Sequence, residues 1–225
     1  MGQAIGEILP LAVGVALSPV PIIAIILMLG TPRARSNAPA FALGWLLGLT
    51  IAGGVMLAIA NGRAQEDGSG PATWVSILKL VVGVLFLLLA ARTWHGRPRA
   101  GEEAAMPKWM RVIDRFTAVR SLVFGVVLSA VNPKNLALTV AAAAAIAQTG
   151  VSTGEAIGAL AVFIVLGSLT ILAPLVLYFA LGARAEAILE DVKAWMAAHN
   201  AAIMTILLLV RGAKLIGDAI AGFSS

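Results

Sequence analysis

The chain has 225 residues, of which 60% are hydrophobic and 12% are charged, and its mean hydropathy is +0.97. A soluble domain carries about 25% charged residues, so this composition excludes an ordinary water-soluble fold and predicts a membrane protein. The net charge of +5 arises in short loops between apolar stretches, where it reports membrane orientation and does not indicate nucleic-acid binding. The absence of cysteine excludes disulfide and thiolate chemistry.

Six apolar stretches follow one another along the chain, and each is close to the ~20 residues that a membrane-spanning helix needs. Their approximate bounds are residues 5–29, 38–60, 72–91, 122–147, 156–181 and 201–216. A spanning segment must satisfy its own backbone hydrogen bonds, because the bilayer interior offers no water. The sequence therefore predicts an all-α, polytopic membrane protein with six transmembrane helices.

Lysine and arginine are unevenly distributed among the loops. They collect after the first, third and fifth stretches, with seven of them between residues 92 and 120, whereas the loop at 148–155 has none. Loops rich in positive charge stay in the cytoplasm. The chain is therefore predicted to lie in the cell inner (plasma) membrane, with both termini outside and the basic loop at 96–119 in the cytoplasm.

Two segments are predicted to form helices on the cytoplasmic membrane surface. From Trp109 to Val119 apolar residues recur at helical spacing, and Lys108 and Arg111 fall on another face. Residues of about 184–199 repeat this pattern. Amphipathic helices of this kind bind in the headgroup region of a bilayer. A structured connector without lipid specificity fits the same pattern.

The first and fourth apolar stretches resemble each other. Residues 11–21 read LAVGVALSPVP and residues 122–133 read LVFGVVLSAVNP, so that Leu, Gly, Val, Leu, Ser and Val recur in register. A proline follows in each copy, one residue later in the second. Because each copy holds three helices, the second copy enters the membrane from the opposite side, which predicts two inverted repeats. The predicted organisation is a first three-helix repeat at 1–95, a basic cytoplasmic loop with an amphipathic helix at 96–119, and a second three-helix repeat at 120–225 with the interfacial helix at about 184–199.

The prolines place a candidate site inside the membrane. Proline lacks an N–H, and its ring clashes with the carbonyl four residues earlier, so transmembrane helices 1 and 4 are predicted to break. Backbone groups freed at membrane depth must be buried in protein or line a cavity, and half-helix N-termini there can bind an anion. A kink that serves only packing is the alternative. The candidate substrate-binding residues are those at the two breaks, namely Ser18, Pro19, Pro21, Ser129, Asn132, Pro133, Lys134 and Asn135.

Lys134 is the most informative of these residues. It lies about twelve residues inside the fourth stretch, or ~18 Å at helical rise. A lysine at membrane depth costs several kcal/mol and marks a functional site by default. Snorkelling to the interface is less available to Lys134 than to Lys79, which lies near the end of the third stretch. A cationic Lys134 between two asparagines favours an anionic or zwitterionic ligand, such as a carboxylate or a lipid phosphate.

The same inventory argues against metal sites and catalysis. The apolar stretches contain almost no carboxylates, which are the ligands that cation sites need, so no metal site and no cofactor are predicted. His95 and His199 flank loops, and neither has the convergent partners that a catalytic base requires. No nucleophile constellation or phosphate-binding loop is visible in the sequence. The chain is therefore not expected to be an enzyme.

The proline pair in residues 18–21, the Asn-Pro-Lys-Asn element at 132–135 and the basic middle loop resemble the LysE superfamily of exporters. Within it, the chain most resembles the actinobacterial sulfolipid-addressing or glycopeptidolipid-addressing family, and the resemblance spans the whole chain. It implies export or surface delivery of a cell-envelope glycolipid or a related lipid-linked precursor. The missing cysteines exclude the thiol-redox branch of the superfamily, and the scarcity of carboxylates disfavours the metal-exporting branches.

Three functions stay open at this point. The first is a transporter or flippase for an anionic amphiphile, whose head sits between the two breaks near Lys134 while its tail stays in lipid. The second is an exporter of amino acids or small metabolites of LysE type, which needs an enclosed polar pocket. The third is a membrane scaffold for envelope-lipid assembly that transports nothing. The expected partners are a membrane lipid or glycolipid substrate and the bilayer, without nucleic acid, and the sequence is compatible with a homo-oligomer or an envelope-biosynthesis partner.

Overall fold

The structure is a computed structural model that describes residues 1–66, 73–96 and 110–223. Within these ranges the regular elements are all helical, which confirms the predicted all-α class. In chain order they are α1 (Gly2–Ala16), α2 (Pro19–Leu29), α3 (Ala34–Glu66), α4 (Thr73–His95), a 3₁₀ turn (Met110–Arg115), α5 (Ala118–Val126), a π turn (Val127–Val131), α6 (Pro133–Gln148), α7 (Thr153–Leu181) and α8 (Ala183–Phe223).

Three of these helices are long and apolar enough to cross a membrane by themselves, namely Ala34–Ala60, Ser76–His95 and Thr153–Leu181. Two bent helix pairs are further candidates: α1 and α2 meet at 51°, and the segment Ala118–Val131 meets α6 at 58°. The described residues therefore hold three to five candidate spans, and the chain is a polytopic helical membrane protein. Both bends fall at the prolines, as predicted. The sixth span and the inverted arrangement of the repeats stay predictions.

Helix α8 differs from the predicted division of this region. An interfacial helix at about 184–199 and a separate sixth span at 201–216 are expected, but α8 runs without interruption from Ala183 to Phe223. Neither glycine nor proline occurs between Ala183 and Arg211, so nothing in the backbone ends the helix between the two segments. Its 41 residues span ~60 Å, about twice the thickness of the hydrocarbon layer.

The basic middle loop lies mostly outside the described residues, which resume at Met110. The amphipathic helix predicted to run from Trp109 to Val119 is there only a 3₁₀ turn at Met110–Arg115. The turn ends because Thr117 takes an extended conformation and starts α5 as its N-cap, with its side chain accepting a hydrogen bond from the Arg120 N–H. Threonine is a favoured N-cap residue. Thr117 therefore marks the start of a new helix, a signal that the spacing of the apolar residues does not reveal.

Small residues let α3 and α5 pack backbone to backbone. A β-carbon added at Gly44 would overlap the carbonyl oxygen of Leu122, and one added at Gly125 would overlap that of Phe41 and lie 2.8 Å from the Trp45 nitrogen. Close helix crossings at small residues are a usual solution inside membranes, where the lipid tails are as apolar as the side chains. The crossing brings the first half of the chain against the second break.

The broken helices of the two halves pack against each other through α1 and α6. Helix α1 packs against α6 and α7, while α3 packs against α5 and α6. Pro19, Ser18 and Asn135 are all buried at this junction. The packing therefore joins the break of the first half to the break of the second half, and it places polar groups from both in one cluster.

Candidate functional site

At the first break, the chain leaves helical geometry at Leu17 and Ser18 and re-enters it at Pro19, the first residue of α2. Proline suits this position, since the first N–H of a helix has no partner inside the helix. The break removes the normal partners of the last carbonyl groups of α1. The carbonyl oxygens of Gly14 and Ala16 instead accept hydrogen bonds from side chains of α6 and α7.

At the second break, the chain first widens into a π turn and then restarts. The Asn132 N–H donates to the Val127 carbonyl oxygen at 2.9 Å, a spacing of five residues that closes the π turn. Asn132 is the N-cap of α6, and its side-chain oxygen accepts from the Lys134 N–H at 3.0 Å. Pro133 is the first residue of α6. The break therefore has its own cap, and α6 starts at a fixed place and angle.

The Lys134 side chain crosses from the second break to the first. Its Nζ donates to the Gly14 carbonyl oxygen at 2.6 Å and to the Ser18 hydroxyl at 2.6 Å, and the residue is 5% exposed. The ammonium thus lies at the C-terminal end of α1, where the helix dipole is negative and favours a cation. Both hydrogen-bond acceptors are uncharged, so the burial of Lys134 is balanced by dipoles and not by a carboxylate.

Ser18 and Asn135 extend this contact into a chain of hydrogen bonds. The Ser18 hydroxyl donates to Asn135 Oδ1 at 2.8 Å, and Asn135 Nδ2 donates to the Leu128 carbonyl oxygen at 2.9 Å. Ser18 is 3% exposed and Asn135 is 0% exposed, so the chain is shielded from lipid. Lys134 and Asn135 therefore bind free backbone carbonyls on both sides of the junction, and Ser18 connects them. We call Ser18, Lys134 and Asn135 the junction cluster.

The other candidate residues have different positions. The Ser129 hydroxyl donates within its own helix to the Gly125 carbonyl oxygen at 2.9 Å, and Asn132 caps α6. Pro19 and Pro21 are buried in the first turn of α2, whereas Pro133 is exposed at the bundle surface. The structure thus brings three of the eight predicted residues into one polar cluster, and the other five shape the two breaks.

The helix N-termini are less suited to an anion than the sequence suggests. Two of the first three residues of α2 are Pro19 and Pro21, which have no N–H to offer. At α6, Pro133 lacks an N–H and the Lys134 N–H is bound to Asn132. The ammonium of Lys134 carries three N–H groups, of which its two hydrogen bonds use two. The side chain is therefore the better anion-binding group at the junction.

Thr170, in α7, also belongs to the junction, and no site was predicted there. Its hydroxyl donates to the Ala16 carbonyl oxygen at 2.6 Å, one residue before the break. Two residues earlier in α7, the Ser168 hydroxyl accepts a hydrogen bond from Trp45 Nε1 of α3 at 3.2 Å. The pair Leu49-Thr50 matches Leu169-Thr170 in the repeat, and this match was the available signal for Thr170.

Replacing Thr170 with valine is expected to destabilise the protein by ~0.6 to ~1.7 kcal/mol, the mean and the maximum found for side-chain hydrogen bonds between membrane helices. The substitution leaves the Ala16 carbonyl without its donor next to a proline break. The melting temperature in detergent measures the effect. Thr50→Val is the matched control, because Thr50 donates to Leu46 of its own helix at 2.8 Å. An equal loss in both variants would contradict a special role for Thr170.

The two histidines have no site around them in the part of the chain that the structure describes. His95 and His199 each contact the backbone carbonyl four residues earlier, at 2.8 Å, and His199 also stacks on Trp195. Among the described residues, no three His, Asp or Glu side chains are grouped so that they could hold a metal ion. Neither histidine contributes to the junction, whose described polar groups are hydrogen-bonding side chains, backbone carbonyls and the ammonium of Lys134.

Comparison with known proteins bears on this junction. A family model described as Sap, sulfolipid-1-addressing protein, matches residues 8–221. The chain belongs to this family. The match includes both breaks and the whole junction cluster, and it confirms the family resemblance that the Ser-Pro-Val-Pro and Asn-Pro-Lys-Asn segments carry. Comparison with curated proteins and with solved structures gives no match. Placement of the sulfolipid-1-addressing protein family in the wider LysE superfamily stays a prediction.

Proposed function

We propose that this protein is a membrane transporter or flippase that moves an anionic amphiphile, such as a cell-envelope glycolipid, across or out of the inner membrane. The observation that carries the proposal is the buried ammonium of Lys134, held at the junction by two uncharged acceptors. Among the described residues no carboxylate pairs with Lys134. Burial of such a cation costs free energy, and ionisable residues kept at membrane depth despite this cost mark functional sites. An anionic headgroup supplies the missing negative charge. The family's name, which refers to the addressing of a sulfolipid, agrees with a charged lipid of this kind.

Exposure around the second break favours an amphiphile over a soluble metabolite. Val131 is 61% exposed, Pro133 is exposed and Asn132 is half-buried, although all three lie next to the buried Lys134. The break is therefore close to the lipid-facing surface of the bundle. A headgroup can reach the junction from the side while its acyl chains stay in the bilayer, which a fully enclosed pocket for an amino acid would not allow.

Helix contacts support the inverted repeat on which alternating access depends. If α1 to α4 correspond to α5 to α8, then the contact of α1 with α7 corresponds to that of α5 with α3, and both occur. The contact of α2 with α7 likewise corresponds to that of α6 with α3, and α4 packs directly on α8. Each half thus holds the other in a similar way. Rocking one half against the other would open the junction to either side of the membrane.

The remaining expectations form part of the same proposal. The protein lies in the inner (plasma) membrane with six spans, both termini outside and the basic loop in the cytoplasm. It works without catalysis, and it acts on a lipid or glycolipid, alone, as a homo-oligomer or with an envelope-biosynthesis partner. Accessibility labelling of single cysteines tests the orientation, since the chain has no native cysteine. Labelling from outside at residue 150 but not at residue 35 is the expected result.

A flipping assay in liposomes tests the transport function. The full chain is reconstituted with a fluorescent sulfated galactosylceramide, and a membrane-impermeant reductant measures which leaflet the label occupies. Runs are made with and without an imposed pH gradient and membrane potential. Faster exchange than in protein-free liposomes is expected. Uptake of radiolabelled lysine without lipid movement would instead support a metabolite exporter, and no movement of either would leave the scaffold function and reject the proposal.

A further inference from the structure

A second polar site lies at the far end of α2 from the junction. Two adjoining cavities, of about 580 Å³ and 300 Å³, share Leu29, Gly30 and Tyr178 as lining residues. They lie where the end of α2, the end of α7, the start of α8 and the 3₁₀ turn come together. Cavities of this size are typical of sites for small molecules. By charge distribution, this is the end of the bundle predicted to face the cytoplasm.

The charged side chains of the two cavities are separated by sign. Arg35 lines the larger cavity, while Asp114 and Glu190 line the smaller one. A guanidinium binds sulfate, phosphate or carboxylate through two parallel hydrogen bonds, and carboxylates accept hydrogen bonds from hydroxyl groups. A bare inorganic anion would use the first feature and be repelled by the second. A sugar that carries one anionic substituent uses both.

Tyr178 stands between the two charged regions, since it lines both cavities. Its ring offers an apolar face and its hydroxyl a polar tip, the combination that suits a sugar ring with C–H groups on one face and hydroxyls at its edge. Phe179 forms an edge-to-face pair with Tyr178 at a centroid distance of 5.4 Å. Phe179 also lines the larger cavity and is 55% exposed, so the cavity wall continues onto the outer surface of α7.

The site is built from elements that hold each other in place. Asn37, near the start of α3, donates from Nδ2 to the Phe116 carbonyl oxygen at 2.9 Å, which fixes the chain next to the turn that carries Asp114. Ile113 and Leu189 are 1% and 4% exposed, so the neighbours of Asp114 and Glu190 are anchored in the core. The three charged side chains therefore project from fixed backbone.

We propose that these adjoining cavities bind the anionic sugar headgroup of a glycolipid before it reaches the junction, with Arg35 at the anionic substituent, Tyr178 at the ring and Asp114 at its hydroxyls. The inference rests on the proposed function, because it assigns the same amphiphile a first binding site. Helix α2 connects the two sites. Its 11 residues put the cavity ~16 Å from Ser18 at helical rise, so the headgroup has one helix length to travel.

The test measures binding, and it does not depend on transport. Native mass spectrometry of the full chain in detergent, with an equimolar mixture of sulfated galactosylceramide, galactosylceramide and phosphatidylglycerol, reports which lipid stays bound. The wild type is expected to retain the sulfated glycolipid in preference to both others. Arg35→Gln is expected to lower that retention by about tenfold, the equivalent of one charge-assisted hydrogen bond, and to leave galactosylceramide unchanged.

Matched variants separate the site from general surface charge. Arg33 is exposed on the same turn but does not line either cavity, so Arg33→Gln is expected to bind like the wild type. Asp114→Asn is expected to weaken both galactolipids, whereas Asp191→Asn, one residue beyond Glu190, is expected to change neither. Tyr178→Phe keeps the ring and the fold, and Tyr178→Leu removes the ring, so that only the second is expected to lose most of the binding.

Two results would overturn the inference. Equal losses in Arg33→Gln and Arg35→Gln would show that only surface charge attracts the lipid, and displacement of the lipid by free lysine would assign the cavities to an amino acid. Failure here is distinct from failure of the proposed function. A wild type that flips the lipid while Arg35→Gln binds it normally rejects this site alone, whereas a wild type that binds the lipid here and never moves it rejects the transport function alone.

Discussion

Lys134→Gln is expected to lower the rate of lipid flipping at least thirtyfold, the equivalent of ~2 kcal/mol in the barrier, which is the low end of the cost of removing one partner from a buried charge pair. Glutamine is one bond shorter than lysine, but its amide keeps neutral N–H donors on the side that faces the Gly14 carbonyl oxygen, which the Lys134 ammonium reaches at 2.6 Å. The substitution therefore removes the charge while it keeps a polar donor at the junction. The rate of leaflet exchange in liposomes measures the effect.

Controls separate the charge from the fold in this experiment. Lys79→Gln is the matched variant, because Lys79 also contacts another helix, through Gln148 Oε1 at 2.5 Å, but lies away from both breaks. It is expected to transport at close to the wild-type rate. Lys134→Arg keeps the charge and should retain more activity than Lys134→Gln. Normal flipping by a folded Lys134→Gln would mean that the ammonium only caps α1, and the transport role assigned to it would be wrong.

Gly125→Ala is expected to have the largest effect on stability, with a loss of ~3 kcal/mol or more. An added β-carbon at this position meets main-chain atoms of α3, including the Trp45 nitrogen at 2.8 Å. Overpacking usually costs ~1–3 kcal/mol where side chains can move, and a backbone contact offers less relief. The measurement is the melting temperature in detergent, together with the fraction that elutes as a single species in size-exclusion chromatography.

Gly54→Ala is the matched control for this prediction. Gly54 lies on α3, the helix against which Gly125 of α5 packs, but an added β-carbon at Gly54 meets nothing within 4 Å. Because alanine is a better helix former than glycine by about 1 kcal/mol, this variant is expected to be as stable as the wild type or slightly more stable. If Gly125→Ala melts at the temperature of Gly54→Ala, the α3 and α5 helices do not cross as closely as described.

The sequence repeat of residues 11–21 and 122–133 predicts the helix breaks and also contains a sign of the π turn. The proline of the second copy comes one residue later than the register of the first copy predicts, and a shift of this kind could be dismissed as noise in an apolar sequence. The structure shows that the extra residue is absorbed by the π turn at Val127–Val131. Insertion of one residue into a helix is the usual origin of such a turn. The broken helices were therefore predictable, and so, in principle, was the π turn.

Other features required the tertiary structure. The depth of Lys134 follows from counting residues, but its partner Gly14 is 120 residues away and offers only a backbone carbonyl, which leaves no trace in sequence. Leu128 likewise offers only its backbone carbonyl to Asn135, so its side chain gives no sign of the contact. The continuity of α8 was missed because a change from polar to apolar composition was taken as a boundary, although neither glycine nor proline separates the two segments. Arg35 and Tyr178 line the same cavity only because helix ends that are distant in sequence pack together.

The hydrogen bonds of the junction cluster all run the same way, from Lys134 through Ser18 and Asn135 to the Leu128 carbonyl oxygen. Lys134 can only donate and the Leu128 carbonyl can only accept, so the Ser18 proton must point toward Asn135. In the proposed function, an arriving anion would need donors, and the Lys134 ammonium is the charged donor of the cluster. The bond of Lys134 to Ser18 would then be exchanged for the ligand while Ser18 remained bound to Asn135. The two halves of the protein would thus separate on one side of the junction and stay attached on the other, as a hinge does.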